Sequence, residues 1–265
     1  MRALQLSPEQ VHRGSLILVN RDYDYKEPDF SLSGDFGPEA LSVLCGHTAK
    51  TPVLLKRRAA VLFCGLMDQI GGWDGIVPVS GYRTLAEQTE IWNDSLVRHG
   101  KAFTSTYVAL PGHSEHQTGL AIDLALKQDS IDFLCPDFPD FGICRAFAAQ
   151  APQYGFIRRY PSKKEGITGI GHEPWHFRYV GTPHGAIMEQ EGLTLEEYIF
   201  FLRDFPHGKH PYLFTEGERK IAVSWLPARK DEITWLFVSD RLPYSVSGDN
   251  VDGFIITEWR DGYAS

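Results

Sequence analysis

The chain has 265 residues and carries 34 acidic against 26 basic side chains, a formal net charge of -8. This balance argues against nucleic acid or an anionic membrane surface as the partner. The length suits one substantial hydrophobic core with a small second unit. No apolar run is long enough to span a membrane, and the first residues lack the apolar core of a signal peptide, so we expect a cytoplasmic protein. The cysteines show no Cys-x-x-Cys spacing, which favours free thiols in a reducing compartment: Cys45, Cys64, Cys135 and Cys144.

The first half of the chain predicts alternating strands and helices. Apolar patterns indicate a strand over Ser15–Asn20, a helix over Val53–Ile70 and a second strand over Ile76–Ser80. The sequence Thr84-Leu-Ala-Glu87 is a capping box, which predicts a helix that begins there and reaches about Arg98. The polar segment 101–118 follows as a predicted loop, and we expect it to form one wall of a cleft.

The second half continues the mixture and ends in strands. It predicts a buried strand over Gly119–Leu126, a helix near Gly142–Gln150, a strand over Trp175–Val180 and a helix from Thr194 to about Arg203. Beyond a linker at 206–211, alternating apolar and polar positions predict three half-buried strands: Ile221–Leu226, Ile233–Val238 and Gly253–Trp259. We therefore expect an α+β fold with a catalytic domain at 1–205 and a small C-terminal β subdomain at 206–265.

Two short stretches hold the residue types of a catalytic zinc site: Ser114-Glu-His116-Gln-Thr-Gly-Leu-Ala-Ile-Asp123 and Glu173-Pro-Trp-His176. Zinc in hydrolases usually takes three nitrogen or oxygen ligands from the protein and leaves a fourth position for water. His116, Asp123 and His176 fit the ligand roles, and Glu173 fits the base that accepts the proton of the water. A carboxylate such as Asp123 in a buried strand needs a metal or an ion partner, because an isolated buried charge is too costly.

Other roles stay open for the same residues. The two histidines are also compatible with structural hydrogen bonding, Asp123 with an ordinary buried ion pair, and Glu173 with a group that only orients a ligand. His113 and His172 flank the two motifs. A fourth protein ligand would close the position that water needs, so we place both of these histidines outside the ligand set.

The two motifs resemble those of the zinc D,D-peptidases of the VanY/VanX group, and further stretches carry the likeness over most of the chain: Val77–Thr84, Tyr107–Pro111, Asp132–Pro139 and Gly169–Gly181. The resemblance is strongest to the VanXY type, the bifunctional D,D-dipeptidases and D,D-carboxypeptidases of vancomycin resistance. It implies a Hedgehog/D,D-peptidase-like α+β fold, in which helices flank a central antiparallel sheet and a small C-terminal β appendage follows. It also implies one zinc ion per chain.

The resemblance also implies roles for residues around the metal. Arg83 resembles the arginine that stabilises the oxyanion of the tetrahedral intermediate, and Ser114 resembles the serine that holds the substrate near the metal. Ser80 and Gln88 occupy positions that line the pocket and influence which substrate fits. From the residues alone, Arg83 is also compatible with a structural ion pair and Ser114 with the cap of a turn.

The implied function is hydrolysis of the D-Ala-D-Ala dipeptide, removal of the C-terminal D-Ala from peptidoglycan pentapeptide precursors, or both, in glycopeptide resistance. Two alternatives stay open: another D,D- or L,D-carboxypeptidase of peptidoglycan turnover, and a non-catalytic zinc-containing binding module. The presence of Glu173 and Arg83 beside the metal motifs argues against the binding module. The sequence does not decide the balance between the two peptidase activities or the oligomeric state, and since the family includes dimers, a homodimer stays open.

Overall fold

The computed structural model describes residues 1–27, 40–44 and 52–260. Within these ranges the strands are β1 (Arg2–Leu6), β2 (Leu41–Val43), β3 (Leu54–Lys56), β4 (Ile76–Ser80), β5 (Ala121–Leu126), β6 (Phe156–Tyr160), β7 (Glu173–Tyr179), β8 (Tyr212–Glu216), β9 (Arg219–Pro227), β10 (Thr234–Val238), β11 (Tyr244–Gly248) and β12 (Gly253–Trp259). The α-helices of the same ranges are α1 (Arg57–Ile70), α2 (Leu85–Tyr107), α3 (Gly142–Gln150), α4 (Glu165–Thr168), α5 (His184–Glu191) and α6 (Leu195–Phe201).

The described chain forms two compact units that differ from the predicted domains 1–205 and 206–265. One unit comprises Val19–Thr194, and the other comprises Met1–Leu18 with the described residues from Leu195 onward. The N-terminal residues belong to the second unit because β1 pairs antiparallel with β10, with Leu4 opposite Leu236. The partner strand of β1 therefore lies in the C-terminal part of the chain.

The unit Val19–Thr194 is built on a four-stranded antiparallel sheet of order β4-β5-β7-β6. Helix α1 presents Ala59, Phe63, Leu66 and Met67 at helical spacing, and all four side chains are buried in the core of this unit. The Phe63 ring lies 5.8 Å from that of Phe147 on α3. The predicted sheet flanked by helices is therefore confirmed, and the strand predictions over Ile76–Ser80 and Gly119–Leu126 correspond to β4 and β5.

The other unit is mostly β structure, as predicted for the C-terminal part of the chain. Its four-stranded antiparallel sheet has the order β11-β12-β9-β8, and β1 and β10 form a separate two-stranded sheet. The three strands predicted here are present as β9, β10 and β12. Strands β1, β8 and β11 were not predicted.

The predicted strand over Ser15–Asn20 is wrong, although Leu16–Val19 is buried as its apolar residues suggested. The backbone N–H of Leu16 donates to the side-chain Oγ of Ser247 at 3.0 Å, and that of Leu18 donates to the carbonyl of Asp249 at 3.0 Å. These separate contacts satisfy the buried backbone in place of a strand ladder.

One helix prediction and one loop prediction need corrected bounds. The helix predicted over Val53–Ile70 begins only at Arg57, because Leu54–Lys56 pairs as β3 with β2. The helix capped by Thr84 stops being helical at Gly100, close to its predicted end, and a second helical segment follows up to Tyr107, so residues 101–107 of the predicted loop are helical. Gly100, with φ 80° and ψ 171°, breaks α2 at the point where the sequence suggested that it would end.

Cys64, Cys135 and Cys144 are free thiols, and Cys45 lies outside the described residues. Among the helices of the described ranges, none combines the length and the apolar character that crossing a bilayer requires.

His184 should make the fold less stable in acid. Its side chain is buried at the start of α5, and burial lowers its pKa from 6.5 to about 3. Between these pKa values the unfolded chain binds more protons than the folded one, so stability is lost as the pH falls from 6.5 toward 3, by up to about 1.4 kcal/mol per pH unit. Urea unfolding at pH 7 and pH 5 should show a smaller loss for His184→Gln than for the wild type. An equal loss in both proteins would contradict this assignment.

Candidate active site

The register of the central sheet places three of the predicted site residues in one row. Ser80 on β4 lies opposite Asp123 on β5, and Asp123 lies opposite His176 on β7. Directly opposed residues of an antiparallel pair have Cβ atoms about 4.5–5.5 Å apart, so their side chains meet on one face of the sheet. The pairing of three short strands therefore brings together residues that are far apart in the sequence.

His116 reaches the same face from a 3₁₀ turn over Glu115–Thr118, just before β5. The turn ends at Gly119, whose φ of 69° lies in the left-handed region that glycine adopts without strain. The N–H of Gly119 donates to the carbonyl of His116 at 3.2 Å, which closes the turn. The tight bend that the sequence suggested at Gly119 is thus present.

The three predicted ligands form a compact cluster. The Asp123 carboxylate contacts one ring nitrogen of each histidine: Oδ2 lies 3.1 Å from His116 Nε2, and Oδ1 lies 2.9 Å from His176 Nδ1. Ligand atoms of the three residues all lie within 4.8 Å of one another, and all three residues are buried. Two imidazole nitrogens and one carboxylate oxygen are the donor set that catalytic zinc sites use, so these residues fit a zinc ion.

The remaining ring nitrogens identify the atoms that are available to a metal. His116 Nδ1 lies 2.6 Å from the carbonyl oxygen of Gly81, which can only accept a hydrogen bond, so Nδ1 carries the proton. His176 Nε2 lies 3.4 Å from Oε2 of Glu115, a carboxylate that likewise accepts. His116 Nε2 and His176 Nδ1 therefore face Asp123, and both nitrogens could bind a cation there once His176 Nδ1 has lost its proton.

The charges of the cluster suit a cation as well. Burial and the nearby Arg83 lower the pKa of His116 to about 4, so its ring is neutral at pH 7. Burial opposes the charge on His176, but hydrogen bonds to Asp123 and Glu115 outweigh it and raise the pKa to about 9. Burial alone would raise the pKa of Asp123, yet the two histidines hold it well below its usual value. A metal bound here takes the place of the proton on His176, because metal ligands must be deprotonated.

Glu173 begins β7 and lies beside the cluster, with its Oε2 3.9 Å from Nδ1 of His176. Burial raises the pKa of the Glu173 carboxyl to about 8, an effect that the charge of Asp123 increases and that of His176 opposes. A carboxylate that holds a proton near neutral pH can both accept and return one during a reaction cycle. The position and the chemistry of Glu173 therefore match the predicted base.

Arg83 contacts three acceptors. Its Nε donates to Ser80 Oγ at 2.9 Å, its Nη1 to Gln88 Oε1 at 3.1 Å, and its Nη2 to Asp123 Oδ2 at 3.0 Å. A guanidinium has five N–H groups. In the described part of the chain, three of those of Arg83 have acceptors, so two stay available for a substrate oxygen. Gln88 also donates from Nε2 to the carbonyl of Ala109 at 2.8 Å. Ser80 and Gln88 thus hold Arg83 in place, and their predicted influence on which substrate fits stays a prediction.

These residues line an open cleft with an empty volume of about 470 Å³. Ser114 belongs to its lining, together with apolar and aromatic side chains such as Ile91, Tyr107, Phe133 and Trp175. All eight predicted site residues are therefore in one place: seven line the cleft, and Ser80 contacts it through Arg83. The rest of the predicted wall, 108–118, also contributes Val108, Ala109 and Glu115.

Comparison with known proteins decides the family. The sequence profile of VanY, described as D-alanyl-D-alanine carboxypeptidase, matches residues 63–182. The crystal structure of the vancomycin resistance D,D-dipeptidase VanXYg, in complex with a D-Ala-D-Ala phosphinate analog, matches with a TM-score of 0.88 and 43% sequence identity. The match covers 98% of this chain and 99% of that one. The chain belongs to the VanY family of D-alanyl-D-alanine carboxypeptidases. The predicted family and fold are confirmed.

Two further relatives of this VanY-family peptidase bear on its site. The bifunctional D-Ala-D-Ala dipeptidase and D-Ala-D-Ala carboxypeptidase VanXYC of Enterococcus gallinarum is 53% identical over 125 residues, which is 47% of this chain and 66% of VanXYC. A mutant of the D,D-pentapeptidase VanY from a VanB-type resistance cassette was solved in complex with Zn(II). It matches with a TM-score of 0.54 and 33% identity, over 70% of this chain and 98% of that one.

Sequence reasoning missed one part of the site in this VanY-family chain, the ion cluster behind His176. Glu115 Oε1 accepts from Arg159 Nε and from Arg178 Nη1, both at 2.7 Å, and the side chains of all three residues are 0% exposed. The signal was available in the sequence. Arg159 and Arg178 stand in apolar strand patterns, and a buried arginine needs a carboxylate partner.

Proposed function

We propose that this chain is a zinc-dependent D,D-peptidase that hydrolyses D-Ala-D-Ala, removes the C-terminal D-Ala from peptidoglycan pentapeptide precursors, or does both. One observation carries the proposal: a buried two-histidine, one-aspartate cluster shares a cleft with Glu173 and Arg83. Metal ligands, a proton-accepting carboxyl and a fixed cation are the parts that peptide hydrolysis requires. The family relatives that are named for D-Ala-D-Ala hydrolysis support this choice of substrate.

His116 Nε2, Asp123 and His176 Nδ1 would hold one zinc ion per chain, the number that we propose. When bound, zinc acidifies water and polarises a carbonyl oxygen. Glu173 accepts the proton of the attacking water and later delivers it to the leaving amine. The two N–H groups that Arg83 keeps available stabilise the negative charge that develops on the scissile carbonyl oxygen. We further propose that Ser114 contacts the substrate, since it lines the cleft beside the ligand turn.

Arg83→Lys should lower kcat by about 10²–10³-fold, the cost of losing a donor to a developing oxyanion. Lysine keeps one positive charge, but a single ammonium cannot reproduce the fixed planar arrangement that contacts Ser80, Gln88 and Asp123 together. Steady-state kinetics on D-Ala-D-Ala, with zinc saturating, separate kcat from KM. The matched control is Arg98→Lys, at an exposed position on α2 where the arginine pairs with Asp94 at 3.5 Å. A rise in KM with unchanged kcat would assign Arg83 to ground-state binding instead.

The proposed activity is tested by D-Ala release from three substrates in the presence of zinc: free D-Ala-D-Ala, a pentapeptide precursor that ends in it, and a tetrapeptide that ends in an L,D bond. Zinc-dependent release from either of the first two is the expected result. Release only from the tetrapeptide would replace the proposal with an L,D-carboxypeptidase. Zinc binding without release from any of the three would indicate a binding module.

Glycopeptide resistance is the proposed biological role, because VanXYg is named as a vancomycin resistance enzyme. Removal of D-Ala-D-Ala termini lets precursors with a different terminus prevail. The predicted cytoplasmic location would place the enzyme beside those precursors. Both this location and a homodimer stay predictions.

A further inference from the structure

We propose that Glu115 is a positioning residue for the metal site, and that Arg159 and Arg178 hold its carboxylate so that it fixes the ring of His176. The inference rests on the proposed zinc site and adds to it residues that lie outside the set of three ligands.

The two oxygens of the Glu115 carboxylate have separate tasks. Oε1 accepts from Arg159 Nε and Arg178 Nη1, each at 2.7 Å. Oε2 is directed at His176 Nε2, 3.4 Å away. Because both guanidiniums lie on Oε1, the carboxylate cannot rotate without breaking two short charge-assisted bonds. The two arginines thereby fix the orientation of Oε2.

This arrangement determines which nitrogen of His176 is free for a metal. A ring that donates from Nε2 to Glu115 keeps Nδ1, which lies 2.9 Å from Asp123 Oδ1, as the nitrogen that a metal would bind in place of a proton. Metal-bound histidines usually donate their other N–H to a carboxylate, which sets the tautomer and the ring direction. The Tyr160 ring packs on the His176 ring, with 4.9 Å between the ring centres and 33° between the ring planes. The Arg159 guanidinium lies 5.0 Å from the centre of the Tyr160 ring, so the same arginine also supports the His176 ring through Tyr160.

The burial of this cluster argues against a role in stability alone. Glu115, Arg159 and Arg178 are removed from water entirely, and such groups often stabilise a fold less than well-packed apolar residues of the same volume would. The three residues come from the ligand turn, β6 and β7. They join the turn that carries His116 to the strand that carries His176. A fixed distance between these two segments is what a preformed metal site requires.

The test measures zinc binding rather than turnover. We compare the wild type with Glu115→Gln, which keeps the volume and removes the charge, and with Glu115→Asp, which keeps the charge and withdraws it from His176. The readouts are the zinc Kd by competition with a chromophoric chelator, the visible spectrum of the Co²⁺-loaded protein, and thermal unfolding of the metal-free form. The matched control is Asp249→Asn in the other unit, where a buried carboxylate accepts from Trp225 Nε1 at 3.0 Å.

We expect the zinc Kd to rise about 10–100-fold in Glu115→Gln and about tenfold in Glu115→Asp, with an altered Co²⁺ spectrum in both. Asp249→Asn should lower the unfolding temperature and leave the Kd and the spectrum unchanged. An unchanged Kd and spectrum in the folded Glu115 variants would overturn the inference, as would an equal rise in Kd for Asp249→Asn. A wild-type protein that fails to bind zinc would overturn the proposed metal site itself, whatever the variants do.

Discussion

Glutamine in place of Glu173 should lower kcat for D-Ala release by about 10²–10⁴-fold, because an amide cannot accept the proton of the attacking water. The zinc Kd should change little, since Glu173 Oε2 lies 3.9 Å from the nearest ligand nitrogen and is not needed in the ligand set. The measurement is steady-state hydrolysis of D-Ala-D-Ala at saturating zinc, with the metal content of each preparation determined in parallel.

The same substitution should not destabilise the metal-free fold. The folded-state pKa of Glu173 is raised to about 8, so ionisation of this buried carboxyl costs stability as the pH rises from 4.5 through 8. Glutamine removes that cost. The matched control is Glu189→Gln, an exposed position near the end of α5, which should keep both kcat and stability. A Glu173→Gln enzyme with wild-type kcat would contradict the role of Glu173 as the base.

Asp123→Asn should remove most zinc binding and destabilise the fold. The Asp123 carboxylate contacts His116, His176 and Arg83, and asparagine leaves the Arg83 cation without its carboxylate partner. Breaking a buried pair in this way typically costs about 3–5 kcal/mol. A ligand makes a direct bond to the metal, so the zinc Kd should rise by more than the roughly 10–100-fold typical of residues behind the ligands.

Chelator competition and urea unfolding measure these two effects of Asp123→Asn. Asp140→Asn is the control, because it removes a carboxylate whose pair with Arg158, at 3.5 Å, is largely exposed to solvent. Exposed pairs contribute about 0–1 kcal/mol, so the control should unfold near the wild-type urea concentration. An Asp123→Asn protein that binds zinc as tightly as the wild type would exclude Asp123 from the ligand set.

The candidate site could be predicted well because its chemistry is local in the sequence. His116 and Asp123 are separated by one turn and the start of a strand, and Glu173 and His176 lie within a single strand. Asp123 and His176 lie opposite each other once β5 and β7 pair in the observed register. The tasks of Ser80 and Gln88 could not be predicted in the same way, because they depend on how the Arg83 side chain bends.

The parts that were missed depend on contacts between distant segments. Strand β1 pairs with β10, and because no turn or short connection joins these two strands, the sequence does not predict their pairing. Residues 101–107 resume a helix after Gly100, although a glycine at that point usually marks a helix end. To predict the role of Glu115, two features of the sequence had to be combined: its position next to His116, and the two arginines in apolar strands that need a carboxylate partner.

We propose that His116, Asp123 and His176 hold a zinc ion on which the D,D-peptidase activity of this chain depends. The most direct measurement is the rate of D-Ala release from D-Ala-D-Ala as metal-free protein is titrated with zinc. We expect no release without metal and a linear rise that ends at one zinc per chain. Full release by protein that contains no metal would contradict it, as would a filled site that releases no D-Ala from either the dipeptide or the pentapeptide.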